Sequence, residues 1–396
     1  MRTAPLSLAL LLAAAPLAAQ TPDLAEKVER LSREVERLKA EAAPAQPSST
    51  SILGYGEIVF SRYRRDGAKD TADLRRFVLG VTHAFDADTE LVTEVEVEHA
   101  VSSADDKGEV EIEQAYILHR LSPAWSIRAG LFLVPSGLLN ERHEPTVYYG
   151  VERNLVETAI IPSTWREGGV QVAGDLGSGF LLQAGVSTGF DLGKWDASST
   201  EGAESPLGAV HQELSGAKAH DLAVFGALNW RGVPGLHLGA SIFHGKGSHA
   251  ASGVPPLSAT LWEAHGRWTP GAWDLSALYA RGEISGTAAF NQPLVGFPTL
   301  MPRTFDGWYV QAARQVWASG PRALAAFARF ETVNTAAAFA TLSPASLTPA
   351  PARAERVWTA GASFNLNPHV VVKADLRRFR EDRNQDRFNL GLGWAF

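Results

Sequence analysis

The sequence predicts an all-β protein: an antiparallel transmembrane β-barrel of about 16 strands, preceded by a short N-terminal coiled-coil helix. Three observations carry that prediction. From Leu53 onward, segments of about ten to thirteen residues succeed one another, many with period-two alternation and rich in β-branched and aromatic residues. Their connections alternate short and long, as in a chain that crosses a bilayer and returns by tight turns on one side only. The last segment, DRFNLGLGWAF, sets Phe388, Leu390, Leu392, Trp394 and Phe396 on one face and Asn389, Gly391, Gly393 and Ala395 on the other. Such an apolar face suits acyl chains, and closing the sheet satisfies strand edges in lipid.

Residues 1–20 read as a signal peptide: Arg2, an apolar stretch from Leu6 to Leu17, then Ala18 and Ala19, with cleavage expected after Ala19 or Gln20. Residues 21–42 carry Leu24, Val28, Leu31, Val35 and Leu38 at heptad spacing and predict a periplasmic coiled coil. At two to three heptads this coil is marginal alone. Residues 43–52 form a Pro/Ser linker. The barrel is expected over 53–396, with strands near 53–63, 74–85, 89–101, 109–121, 124–134, 167–175, 179–189, 220–231, 235–246, 258–268, 272–284, 306–317, 321–333, 355–366, 369–380 and 386–396. The 134–166 loop is far longer than usual and is expected to fold inward as a constriction.

Composition narrows the function. A formal charge of −7 argues against a nucleic-acid partner, and the absence of Cys excludes disulfides and cysteine chemistry. After the first twenty residues no apolar run is long enough for a membrane helix. The GVSTG at 185–189 matches a nucleophile motif but ends an alternating strand instead of forming a strand–turn–helix elbow. His244 and His249 lack a third metal ligand in sequence. No catalytic residue, metal or cofactor is therefore expected.

A set of short features appears in a fixed order: Arg75-Arg76, Glu113-Gln114-Ala115-Tyr116, Gly130, Pro135 and Gly137, Glu152-Arg153, then Arg166 with Gly168-Gly169-Val170. Over roughly residues 53–175 the chain resembles the phosphate-selective porins (the porin O and P family) of bacterial outer membranes. The resemblance implies a sixteen-stranded homotrimer with a periplasmic coil, in contact with outer-membrane lipid and lipopolysaccharide and inserted by the barrel assembly machinery. It also implies diffusion of small hydrophilic or charged solutes, anions such as phosphate among them. The terminal aromatics Trp394 and Phe396 are similar to that machinery's assembly signal. This chain departs from the family in having no Lys between Lys107 and Lys194.

Parity assigns the lumen. Charges on the lipid face cost about 2–4 kcal/mol each for Arg or Lys near mid-membrane, so Arg76, Glu94, Glu96, Glu98, Glu111, Glu113, Lys373, Arg377 and Arg387 are expected to point inward. Val110, Ile112 and Tyr116 are expected to point outward. The acidic and basic arcs are read as facing walls with a field between them. The loop carries Glu141, Glu144, Glu152 and Glu157 against Arg142, Arg153 and Arg166. That balance predicts weak cation preference or near neutrality, without a tight phosphate site. The alternatives are an adhesin or envelope tether, and a barrel-embedded hydrolase.

Overall fold

A computed structural model describes residues 27, 29–34, 49–101 and 108–396. It divides into two units at Ser49/Thr50. In the first, Lys27 and residues 29–34 are helical and exposed, and Arg33 lies 3.8 Å from Glu29 one turn away. The expected signal peptide, most of the expected coil and residues 43–48 of the expected linker lie outside the described residues, whereas residues 50–52, expected as linker, already belong to the first barrel strand because they pair with its neighbour.

The second unit is a closed antiparallel barrel of sixteen strands in sequence order. They are β1 (Thr50–Tyr63), β2 (Thr71–Ala84), β3 (Thr89–Glu98), β4 (Val110–Arg120), β5 (Trp125–Leu133), β6 (Arg166–Gly177), β7 (Phe180–Thr188) and β8 (Leu222–Val233). Then come β9 (Leu236–Lys246), β10 (Ser258–Trp268), β11 (Trp273–Ser285), β12 (Thr304–Ser319), β13 (Arg322–Ala338), β14 (Glu355–Asn367), β15 (Val370–Phe379) and β16 (Arg387–Ala395). Each expected strand is present. One end of the barrel carries turns of two to four residues, the other the long loops.

β1 pairs with β16 from Tyr55↔Ala395 to Tyr63↔Arg387 and closes the sheet. The ladder continues past the strand end: Phe396 N donates to Gly54 O at 2.8 Å and Gly54 N to Phe396 O at 3.0 Å. The Phe396 ring lies over Gly54, where an added Cβ would sit 2.9 Å from it, so the glycine is what lets the ring lie flat on the neighbouring strand.

Alternation sorts the side chains. Ile58, Leu79, Leu228, Ile242, Leu376 and Leu390 are exposed on the outer surface, a band suited to acyl chains. Trp125, Phe180, Trp268, Trp273, Trp317 and Phe396 are exposed near the short-turn end. Trp262, Trp308 and Trp358 are exposed nearer the other end, so two aromatic belts bound the band.

Two departures from alternation matter inside. In β2 the register steps from Glu57↔Arg76 to Ile58↔Leu74, leaving Arg75 as an extra residue. In β4 it steps from Glu94↔Gln114 to Val95↔Ile112, leaving Glu113 extra. Each is a β-bulge, and each turns two consecutive polar side chains inward. The second also reverses the parity of the β4 residues beyond it. Tyr116, expected to face lipid, instead packs against the interior apolar cluster and under the Arg128 guanidinium, 5.5 Å from its ring centre.

An apolar cluster fills part of the lumen along β5–β12. Phe132, Trp165, Phe190, Phe225 and Phe243 form an aromatic cluster, with Trp165 and Phe243 centroids 4.6 Å apart. Leu192 and Leu207 from the 189–221 loop join it. Inward apolar residues on these strands are therefore matched by the loops folded onto them.

Candidate functional site: a loop folded into the barrel lumen

The 134–165 segment enters the barrel and is fixed to its inner wall at many points. Asn140 braces its two ends, donating from Nδ2 to Val134 O and Trp165 O at 2.8 Å each. Arg153 clamps the middle, donating to Ser163 Oγ at 2.8 Å, Thr164 Oγ1 at 3.0 Å and His143 O at 3.2 Å. Glu157 is buried and accepts from Leu138 N, Leu139 N, Asn154 Nδ2 and Tyr309 Oη at 2.6, 2.8, 2.7 and 3.0 Å. Burial pushes its carboxyl up, and those donors only partly offset that.

The loop's contacts with the wall are charged. Glu152 receives hydrogen bonds from Arg377 and Arg387, and Arg75 lies 3.7 Å away. Burial alone would raise this carboxyl, but the guanidinium groups of Arg377, Arg387 and Arg75 outweigh it and hold it at about 2. Arg377 also reaches Glu331 at 3.3 Å, which accepts Leu155 N at 2.6 Å. Asp375 accepts Val151 N at 2.7 Å, and Lys373 donates to Gly150 O at 2.9 Å beneath the Tyr148 ring. Tyr148 Oη donates to Glu57 at 3.0 Å.

On the acidic side, Arg76 lies 3.0 Å from Glu57 and 3.8 Å from Glu96, with Glu98 opposite it in register. Glu113 accepts Tyr55 Oη at 3.1 Å and sits 3.6 Å from His143 of the loop. Glu94 accepts from Gln114, and Arg166 bridges Glu111 and Glu213. Glu141 pairs with Arg128 at 2.8 Å and Glu144 is half-buried. The expected lumen residues thus face inward, but the acidic and basic arcs lie side by side around the closure, with Arg76 3.8 Å from Glu96, and are not opposed walls. β1 is neighbour to both β2 and β16, so closure brings the two arcs together.

Cavities flank the loop. One, of about 340 Å³, is lined by Arg75, Arg76, Arg153, Arg377 and Arg387 against Glu57 and Glu152. On the β8–β10 side another, of about 300 Å³, meets Arg142, Arg231, His237, His265 and Arg267 with Glu141 and Glu263. A smaller space of about 120 Å³ shares Arg142 and Arg267 with it and shares Tyr148 with the first. Arg231, His237, His265 and Arg267 were missed in the sequence because isolated cations on alternating strands carry no motif; inward parity near the short turns was their one signal.

The enzyme-like motifs do not assemble. Ser187 is buried at the end of β7 and donates to Thr188 O at 2.8 Å. His244 contacts Thr260 at 2.8 Å, whereas the His249 ring contacts Phe190 O at 3.2 Å. Among the described residues no three His, Asp or Glu side chains group to hold a metal.

Known proteins agree with this architecture. OmpF of Salmonella typhi, solved with daunomycin, superposes with a TM-score of 0.61 at 13% identity, covering 88% of this chain and 97% of its own. The outer membrane channel DcaP of Acinetobacter baumannii gives 0.57 at 13%, covering 88% and 97%. The fold is that of the outer-membrane porins. An anion-selective porin from Comamonas acidovorans gives 0.53 at 11%, covering 88% and 99%. In sequence, an uncharacterized protein of Aquifex aeolicus (strain VF5) is 26% identical over 359 residues, 87% of this chain and 80% of the relative. No family model matches the chain.

Proposed function

We propose that the protein is an outer-membrane channel for passive diffusion of small hydrophilic solutes, with a preference for anions. The observation that carries the reading is the 134–165 loop, held inside a closed barrel with polar cavities on both sides of it. A loop that only capped the barrel would have no use for a latch of three arginines on Glu152 at its inner wall.

The sign of the preference comes from what lines the cavities. Counting loop charges by sequence favours cations, but Glu152 and Glu157 are consumed by partners inside the protein. With Glu152 counted as the partner of Arg75, Arg377 and Arg387 and Glu57 as that of Arg76, the cavity of about 340 Å³ still carries five guanidinium groups against two carboxylates. At about 8 Å screening length in physiological salt, that excess is felt across a narrow neck. Reversal potential in a planar bilayer under a KCl gradient tests it. Charge reversal at Glu157 would be a poor probe, since Lys there would leave four donors unmatched.

The remaining assignments belong to the same reading. The channel inserts in lipid and lipopolysaccharide through the barrel assembly machinery and works as a homotrimer; no catalytic residue or cofactor is assigned. Trp394 and Phe396 serve in assembly. Replacing Phe396 with Ser is expected to slow folding far more than it destabilises the finished barrel, because one aromatic contributes about 3–5 kcal/mol at most. Pulse-chase appearance of the heat-modifiable form checks this, and a normal rate would remove the assembly role.

A further inference from the structure

We propose that the outer face of β9–β15 carries a site for one phosphate-bearing membrane lipid, with its phosphate on two adjacent arginines at the long-loop end and an acyl chain in an apolar groove beside them. The inference rests on the barrel's place in the outer membrane and needs no conduction.

Alternation places the arginines. Trp358 of β14 and Arg378 of β15 pair in register and are exposed, whereas Val357 and Phe379 next to them are buried. Arg356 and Arg380, one row nearer the long loops, are also exposed and share the outer face. Arg380 N donates to Arg356 O at 3.0 Å, so the two stand side by side. Like charges directly opposite each other are unfavourable. Nearby carboxylates do not relieve them. Glu355 accepts backbone N–H groups of Arg356, Arg380 and Glu381 on one oxygen and of Asp382 on the other. Asp386 is taken up by Phe379 N and Arg378. Glu381 comes only within 3.9 Å of Arg380, and the Arg356 guanidinium has no partner among the described residues. Two such groups at the rim of the apolar band suit a lipid phosphate, which accepts from both.

The groove supplies the second half of the ligand. It encloses about 590 Å³, and Trp358, the register partner of Arg378, lies at its upper end. From there it follows one row across the sheet through Phe330, Val310, Ala277 and Gly266 to Leu238 of β9. Ala312 and Ala328 give it depth between the Phe330 and Trp358 rings, 4.7 Å apart, and the Trp268 and Leu275 side chains. Five strand spacings make the groove roughly 24 Å long. The hydrocarbon layer is about 30 Å thick, so the groove accommodates an extended acyl chain. A soluble phosphate would use the arginines and leave the groove empty. A ligand that is apolar along one end and anionic at the other matches both features at once.

The test uses the full mature chain, purified in detergent and stripped of lipid by detergent exchange. It is mixed with lipid A (the phosphorylated anchor of lipopolysaccharide), with phosphatidylglycerol or with inorganic phosphate, and bound copies are counted by native mass spectrometry. One retained lipid per chain is expected, and no retained inorganic phosphate. Affinity should fall about tenfold in the Arg356→Gln, Arg380→Gln double variant, which removes hydrogen bonds to a charged group. Ala328→Leu, which fills the groove with a side chain that suits lipid, should weaken binding to a similar degree. Arg322→Gln, which removes an exposed charge at the short-turn end, should bind as the parent does. Heat-modifiability on a gel checks that each variant is folded. Retention of both lipids assigns the site to phosphate-bearing lipids in general; retention of one alone assigns it to the glycolipid or the phospholipid. No retained lipid, unaffected arginine and groove variants, or an equal loss in Arg322→Gln overturns the proposal. A change of oligomeric mass in Ala328→Leu without any retained lipid would also overturn it and give the groove to a second copy of the chain. A protein that retains the lipid yet conducts nothing would overturn the channel reading and leave this site standing.

Discussion

Glu152→Gln should turn a steady channel into a flickering one. The substitution keeps the shape of the side chain but leaves Arg377, Arg387 and Arg75 around a neutral group at the barrel wall. Removing one member of such a partly buried cluster costs roughly 3 kcal/mol, enough to release the 148–155 stretch of the loop part of the time. Single-channel recording should show brief closures absent from the parent, and the folded form should convert to the unfolded form at lower temperature on a gel. Acid should act alike, and the sign comes from the carboxyl held at about 2. A depressed carboxyl contributes fully above its unfolded value near 4.5 and loses its contribution as pH falls toward 2. The parent channel should therefore stay steady from pH 8 to about 4 and begin to flicker below that. Flicker that sets in near pH 6 would place the latch elsewhere.

Tyr148→Ala should widen the path. Tyr148 lines the arginine-rich cavity of about 340 Å³ and also the small one of about 120 Å³, so solute moving between them passes its ring. Truncation also uncovers the Lys373 ammonium, now 3.6 Å from the ring centre and still bonded to Gly150 O, and leaves Glu57 with Arg76 as its remaining partner. Open-channel conductance should rise roughly twofold, because the narrowest cross-section sets the current. Conductance equal to that of the parent would mean that ions bypass Tyr148.

The barrel was legible because its physics is written residue by residue. Lipid on one face and water or protein on the other force period two, and closure forces pairing of β1 with β16. Inward placement of Arg76, Glu96, Glu113, Lys373, Arg377 and Arg387 came from the cost of a charge in lipid alone. Tyr116 was misread because parity counting assumes an unbroken ladder, and the bulge at Glu113 inserts a residue. The clue was present: Arg75-Arg76 and Glu113-Gln114 are adjacent polar pairs where alternation allows one, and each pair sits at a bulge. The pairing inside the lumen could not be read that way. Glu152 meets Arg377 and Arg387 across more than two hundred positions, and which loop carboxylates meet water depends on how the loop folds. Counting four carboxylates against three arginines does not say which of them are paired inside the protein, as Glu152 and Glu157 are.

The most direct measurement is the current–voltage relation of the purified protein in a planar bilayer under a tenfold KCl gradient. Steady open-channel steps are expected, with a reversal potential on the chloride side of zero that shrinks when Arg75 and Arg387 are both replaced by Gln. Silent bilayers, or a reversal potential on the potassium side, would contradict an anion-preferring channel.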